Sequence, residues 1–402
     1  MNNSKINNLS KRHKAEKRFI FLGKLAVFLS VSFLIFLLTT IVFKGYGAFL
    51  KTKIALEIDP AKISQQDWQN HNYRLAINQS LKNLKPDLLS LEDLNSLYQI
   101  ISKIANLELK KQILKDQKKI YWLTASSAVD MFIKHHQDEN LNQLQIDLIK
   151  KLQSSNQIKV FFNWDFFKFG DSRSPEIAGI KTSFVGSVLV MIIFLIFAFP
   201  IGVMCAFYLE EFAKKNRLTD IIEISINNLA GIPSIIYGLL GLTLYLQIIH
   251  LPRSSSLVGG LTLFMLVLPV IIIATRNTIR TIPTSIRDGA LAIGASKMQL
   301  IWHHLLPLSI PGIMTGTILA ISRAIGETAP LLMIGMVAFI ADVPQSFFDP
   351  SSALAVQIYL WSDLPESGFV EKTSGAILTL LVFLILLNYT AIILRKKFER
   401  KW

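Results

Sequence analysis

Apolar positions are spread unevenly along this chain. Residues 181–394 are mostly apolar, whereas 44–180 mix polar and apolar positions as an ordinary water-exposed domain does. The first run free of charge, Leu25–Phe43, has about the length that crosses a bilayer's hydrocarbon core. Five further runs follow: Thr182–Leu209, about Leu229 to Ile249, Leu257–Thr275, roughly Pro311–Ala338, and Ser374–Leu394. The pattern predicts an all-α polytopic membrane protein with six transmembrane helices. Pro200 and Gly202 in the second span, and Pro233-Ser234 in the third, read as kinks or packing points.

Between the first and second spans the period changes. Leu141, Leu144, Leu148, Ile149 and Leu152 recur at helical spacing, and Leu91–Leu114 behaves similarly. A small, mainly helical domain rich in Asn, Gln and Lys is expected over 44–178. Its aromatic stretch Phe161–Phe169 reads as core or interface packing near the membrane surface, with a partner contact as the alternative. His135-His136 reads as surface, and no metal-ligand or nucleophile constellation appears. The expected organisation is a basic leader (1–24), a first span (25–43), the soluble domain (44–178), a five-span region (179–394) and a basic tail (395–402).

Charge then sets a direction. Hydrophobic residues make up 51% of the 402 and charged residues 17%, against about a quarter charged in soluble domains. The net charge of +14 would suggest nucleic acid in a soluble protein, but much of the excess borders apolar spans. Lys11-Arg12-His13-Lys14 precedes the first span and Lys214-Lys215-Asn216-Arg217 follows the second. Arg276, Arg280 and Arg287 follow the fourth, and Arg395-Lys396-Lys397 follow the sixth. Basic residues mark the cytoplasmic side, so both termini and those loops are expected in the cytoplasm of a bacterial inner membrane. The soluble domain is then extracytoplasmic, and nucleic acid is not among the expected partners. No small-x-small cleavage site follows Phe43, so the first span reads as a retained anchor. The single Cys205 lies in an apolar run and reads as a small buried hydrophobe.

The loop after the fourth span carries the most specific pattern. It runs from Arg287-Asp288-Gly289-Ala290 through Gly294 to Leu306-Pro307. An acidic start, small residues, a glycine and a Leu-Pro stop predict helix, bend, helix. Asp288 near the first helix's N-terminus would complement its dipole. Small residues at 289, 290 and 292 would let a partner surface approach, although the same pattern suits a plain amphipathic interfacial turn. The spacing resembles the loop by which permease subunits of binding-protein-dependent ABC importers engage their ATPases. The usual loop begins Glu-Ala-Ala and closes Ile-x-Leu-Pro. This chain has Asp288, Gly289 and Ala290, and His304 in place of the Ile. No GxxxxGK[ST] loop exists in the chain, so the resemblance implies that a separate dimeric ATPase subunit hydrolyses ATP. No cofactor is implied.

Three more segments narrow the resemblance: FPIGVMCAFYLEEFA at 199–213, GIPSIIYGLLG at 231–241 and ISRAIGETAPLL at 321–332. Together they resemble phosphate-importer permeases of the A type over roughly 177–394. The first span and soluble domain are similar to the extended N-terminal region of longer members. The resemblance implies the type I importer-permease fold, membrane lipid around it, and phosphate as substrate. It also implies a second homologous permease subunit and an extracytoplasmic phosphate-binding protein as partners.

Arg323 is the leading candidate in the translocation path. It stands about twelve residues into the fifth span, roughly 18 Å along a helix and near mid-membrane. A cation there is costly unless it faces a cavity or a partner. Glu327, four residues on, shares its face. The two either neutralise each other or form an anion relay, in which the guanidinium fork suits phosphate oxygens. A carboxylate acceptor would favour phosphate, which keeps an O–H near neutral pH, over sulfate, which keeps none. Gly326, Thr328 and Pro330 are expected to interrupt the helix. The freed amides and Thr328 would then donate to an oxyanion, with Ser322 a weaker candidate. Arg276 reads as an orientation anchor.

Overall fold

The computed structural model describes residues 3–60, 73–84, 91–115, 119–136, 141–337 and 339–398. Helix α1, Asn3–Gly45, is 43 residues long, about 65 Å at 1.5 Å per residue. It is roughly twice the depth of the hydrocarbon core, so the basic leader continues the helix beyond the bilayer. Its large apolar side chains from Phe19 to Phe43 are almost all exposed, as on a lipid-facing helix. It rests along α17 (Ser367–Phe398). The absence of a side chain at Gly45 lets the backbone of Ser374 and Gly375 come close.

The soluble domain is built around a three-stranded antiparallel sheet of order β2-β1-β3. Strand β1, Leu50–Glu57, is central. It pairs with β2, Ile120–Thr124, in the register Ile54↔Leu123, and with β3, Ile158–Phe162, in the register Leu50↔Phe162. Helices α2 (Arg74–Leu84), α3 (Leu91–Tyr98), α4 (Ala105–Lys115), α5 (Ser127–His135) and α6 (Gln143–Ser154) surround it. The helical stripe expected around 141–152 is α6, which buries Leu148, Ile149 and Leu152 in the same apolar cluster as Ile54 and Leu56. The domain is mainly helical, as its periodicity indicates. The sheet is an addition, because β2 and β3 are only five residues each, largely apolar and too short for periodicity to type. A short helix, α7 (Asp165–Lys168), completes the domain.

The domain is joined to the membrane helices by buried charge as well as apolar contact. Lys134 Nζ lies 2.6 Å from Asp130 Oδ2 and 3.0 Å from Glu371 Oε1 of α17. It also donates to the carbonyls of Gly47 and Leu50. His135 Nε2 is 3.0 Å from Glu371 Oε2. His135 is exposed, as its sequence position suggests, and touches this seam from its rim, while His136, also exposed, closes α5 in the left-handed conformation. Beside them Phe166, Trp361, Phe369 and Ala376 form a separate apolar cluster.

Among the described residues, five helices are long and apolar enough to span a membrane, and one bent pair makes a sixth candidate. Helix α8, Lys181–Phe207, ends in a π-helical turn, Tyr208–Phe212. It packs along α11, Ser256–Arg280, with Gly202 against Ile271 and Gly260 against Ile193. The run expected as one span over Leu229–Ile249 is instead broken. Helix α9, Arg217–Ala230, and the segment Ser234–Ile248, which opens as α10 (Ser234–Gly241), meet at 104°. Pro233 lacks an N–H and forces Ile232 out of helical conformation, and Gly231 precedes both. Helix α12, Thr284–Ala292, and α13, Lys297–Leu300, form the loop between α11 and α14 (Leu306–Gly326). Helix α15 is Ala329–Met333 and α16 is Leu354–Ser362. The expected fifth span over Pro311–Ala338 thus stops at Gly326, and Ala338 lies outside the described residues.

Candidate translocation path and coupling loop

The depth of the candidate path follows from helix packing. Gly312 of α14 sits against Thr278 of α11, and Gly316 against Ala274. Each helical turn of α14 thus moves one turn back along α11. Extending that step places Ala324 opposite Leu266 and Val267, and all three share one buried cluster. Leu266 and Val267 lie near the middle of Ser256–Arg280, so Arg323 stands level with the middle of α11. It does so from the last turn of its helix rather than from the helix middle.

There the chain breaks. Glu327 has φ −77 and ψ 117, an extended conformation that ends α14. Thr328 precedes the short α15, with Pro330 in that helix's first turn. Arg323 Nε is 3.5 Å from Glu327 Oε1, with side-chain exposures of 42% and 21%. Charge-assisted N–H···O contacts run nearer 2.7–2.9 Å, so this pairing is loose and leaves most of the guanidinium fork open. Ser322 is differently placed: its hydroxyl donates to Asn388 Oδ1 of α17 at 3.0 Å. Its proton is committed to bracing α14 against α17, and Asn388 is a participant that nothing in its local sequence marks.

The loop between α11 and α14 has the bend its glycine predicts and departs from its sequence pattern at two points. Gly294, at φ +88, ends α12 in the left-handed region. Its N–H reaches Leu291 O, and Ala295 N–H reaches Ala290 O, closing the helix end as a left-handed glycine does. Ser296 then caps α13 in a reciprocal box with Gln299. Asp288, however, is the fifth residue of α12, and the first turn holds no acidic residue, so it does not complement the helix N-terminus. Leu306-Pro307 is not a stop either. A π-helical turn, Ile301–Leu305, joins α13 to α14, and helix runs on from Lys297 to Gly326. Pro307 directly follows that π-helical turn, so its missing N–H falls where the regular helical ladder is already interrupted.

The loop presents a partly apolar open face. Gly289 and Gly294 have nothing within 4 Å of where a side chain would stand. Leu291, Ile293, Met298 and Trp302 are exposed around them, Ile293 to 82%. Ala290 instead points inward and is buried with Leu300, Ile301 and Leu305. Close partner approach at Ala290 is therefore not its role; its small size serves the loop's own packing.

Behind this face lies a charge network. Arg276, 5% exposed, donates from Nε to Glu210 Oε1 at 2.6 Å and pairs with Glu223 of α9. Arg280 reaches Glu210 at 2.9 Å. Arg287 donates to Glu211 Oε1 at 3.1 Å and to the carbonyls of Ile279 and Ile282. Lys297 Nζ donates to Glu211 O at 3.1 Å. The π-helical turn at the end of α8 is thereby tied to α9, α11, α12 and α13. Arg276 is an internal strut rather than a free orientation anchor. Glu210 and Glu211 lie within a segment singled out in the sequence, but their partners are far along the chain.

Residues 198–402 match the family described as "Binding-protein-dependent transport system inner membrane component". The chain belongs to this family. Residues 7–143 of this transport-system component match a domain of unknown function, DUF3333. Among its relatives is a probable ABC transporter permease, YqgI, of Bacillus subtilis, 29% identical over 58% of this chain and 85% of the relative. A second Bacillus subtilis permease, YqgH, is 31% identical over 68% of this chain and 87% of the relative. The phosphate transport system permease protein PstA 1 of Mycobacterium tuberculosis is 31% identical over 50% of this chain, which spans 65% of that relative's length. The transport-system component is accordingly a multi-pass membrane permease, and the break at 326–328 and the loop at 288–307 both fall inside its matched region.

Proposed function

We propose that the chain is the permease subunit of an ATP-driven importer that carries inorganic phosphate across the bacterial inner membrane, with both termini in the cytoplasm. The observation that carries this reading is the loosely paired, part-exposed Arg323 level with the middle of α11 beside a helix break, with Glu327 3.5 Å away. A cation at that depth is expensive unless it serves an anion or a partner. The relatives named as phosphate transport permeases support the choice of anion.

In this account Arg323 offers a forked donor to phosphate oxygens, and Glu327 accepts the O–H that phosphate keeps and sulfate lacks. Thr328, freed from α14, adds a hydroxyl donor. A second homologous permease completes the path, an extracytoplasmic phosphate-binding protein supplies most of the affinity, and a dimeric ATPase subunit engages Asp288–Pro307. ATP binding closes the ATPases and pulls on that loop, switching the cavity from inside-open to outside-open.

The test is uptake of labelled phosphate by cells lacking this chain, with and without its restoration. Uptake should require the chain and ATP, and sulfate should not compete. Wild-type uptake without the chain would end the permease reading. Full uptake with undiminished sulfate rejection in Glu327→Gln would remove the selectivity role of that carboxylate.

A further inference from the structure

A row of aromatic rings lies uncovered where the soluble domain meets the membrane helices. Phe49 stacks on Phe167 with centroids 5.9 Å apart, and Phe167 stacks on Phe162 at 6.3 Å. Trp164 meets Phe162 edge-on at 4.7 Å. These rings do not close a core: Phe162 is 48% exposed, Trp164 62% and Phe167 37%. Strand β3 is the outer strand of its sheet, so its free edge lies beside them.

The height of the row is fixed by backbone contacts to two spans. Asn163 N–H donates to Phe49 O at 2.8 Å, four residues past the end of α1. Its side chain donates to Ala48 O at 3.0 Å. Ile180 N–H donates to Phe166 O at 2.8 Å, and Lys181 N–H, opening α8, donates to Phe169 O at 3.0 Å. Phe166 itself packs with Phe369 and Ala376 near the start of α17. Residues 162–169 therefore sit at the level where three spans leave the bilayer.

At that level an exposed apolar face meets headgroups. The exposed surface is continuous with lipid-facing α1, whose Phe43 is 76% exposed, and with Tyr46 just beyond its end, 63% exposed. Lys44, Lys168 and Lys181 are exposed at the same height. Amphipathic and aromatic rings with ammonium groups around them are the chemistry that membrane interfaces select. A loose, uncovered aromatic edge in water would instead be an association hazard. We propose that this row is a membrane anchor: it seats the soluble domain on the bilayer surface, with the rings among the glycerol and headgroup region and the lysines on anionic phospholipid phosphates.

The full chain, reconstituted in vesicles of phosphatidylcholine and phosphatidylglycerol, tests this. Trp164 emission is read as the difference between the parent and Trp164→Phe, a change small enough to leave the fold intact. Nitroxide lipids labelled at a shallow acyl position should quench it at least about twofold more than deep-labelled ones, and aqueous acrylamide should quench it less than in detergent. Equal acrylamide quenching in vesicles and detergent would overturn the proposal. So would protection that arises only after other transporter subunits are added, since a protein partner would then be the occupant. The outcome does not depend on what the chain transports.

Discussion

If the loop at 288–307 receives the ATPase stroke, the bond between Arg287 and Glu211 should carry it into α8. Glu211 is 11% exposed and Arg287 20%, with 3.1 Å between Nε and Oε1. A charge-assisted hydrogen bond in such a setting contributes about 1.5–3 kcal/mol. Glu211→Gln removes the charge but keeps the shape, and it spares the bond from Lys297, which goes to the Glu211 backbone carbonyl. The loss is expected at the low end of that range. Expressed as coupling between ATPase closure and helix movement, about 1.5 kcal/mol is roughly a tenfold fall in transport per ATP. The assay is phosphate uptake and ATP hydrolysis by the reconstituted complex, for Glu211→Gln, Arg287→Gln and the pair. Uptake should fall about tenfold in either single variant, ATP hydrolysis should persist, and the double variant should be no worse than the singles. Additive losses in the pair, or uptake within about twofold of the parent in Glu211→Gln, would refute the link.

Two further predictions concern the seam between the soluble domain and the membrane. Lys134→Met takes the shared cation from Asp130 and from the buried Glu371, whose side chain is 4% exposed, leaving Glu371 only His135; it should cost about 3 kcal/mol, the low end for breaking a buried pair, seen as a lowered unfolding midpoint and faster proteolysis between 44 and 178, and a loss under about 1 kcal/mol would show the cluster to be dispensable. Burial raises the pKa of Asp171, offset in part by the hydrogen bond from Trp361 Nε1 at 2.8 Å and by the N–H of Ser172. A raised folded-state pKa means the folded chain holds the proton more tightly, so stability falls as pH rises from the ordinary carboxylate value through the raised one. Asp171→Asn keeps an acceptor for Trp361 without the charge; its melting temperature should exceed the parent's at neutral pH, with the gap closing as the buffer is acidified, and a lower melting temperature at neutral pH would contradict this.

The membrane elements were legible because each span is a long apolar run, and length alone separates such a run from a strand or a core helix. The break after Gly326 was also legible, since Gly326, Thr328 and Pro330 each weaken a helix. The 104° bend at 231–233 was marked by Gly231 and Pro233, yet the apolar residues on both sides made one continuous span the simpler reading. The sheet was hidden for a different reason: β1 pairs with strands about 70 and 105 residues away, and such pairing leaves no trace in local period. In the candidate site, Arg323 and Glu327 were found from their four-residue spacing, which still brings them together although Glu327 is the cap that ends α14. Asn388, Glu210, Glu211 and Glu223 act across helices, so only packing reveals what they hold. The loop's glycine bend followed from Gly294, while the merging of α13 into α14 required the π-helical turn before Pro307.

The central claim is that Arg323 handles the anion rather than merely balancing Glu327. The most direct measurement is phosphate uptake by the assembled complex carrying Arg323→Gln, with ATP hydrolysis measured on the same vesicles. Losing a forked cation from the path should cut uptake by about a hundredfold or more while the complex still assembles and hydrolyses ATP. Uptake within about twofold of the parent would show that the pair is structural and that the path runs elsewhere.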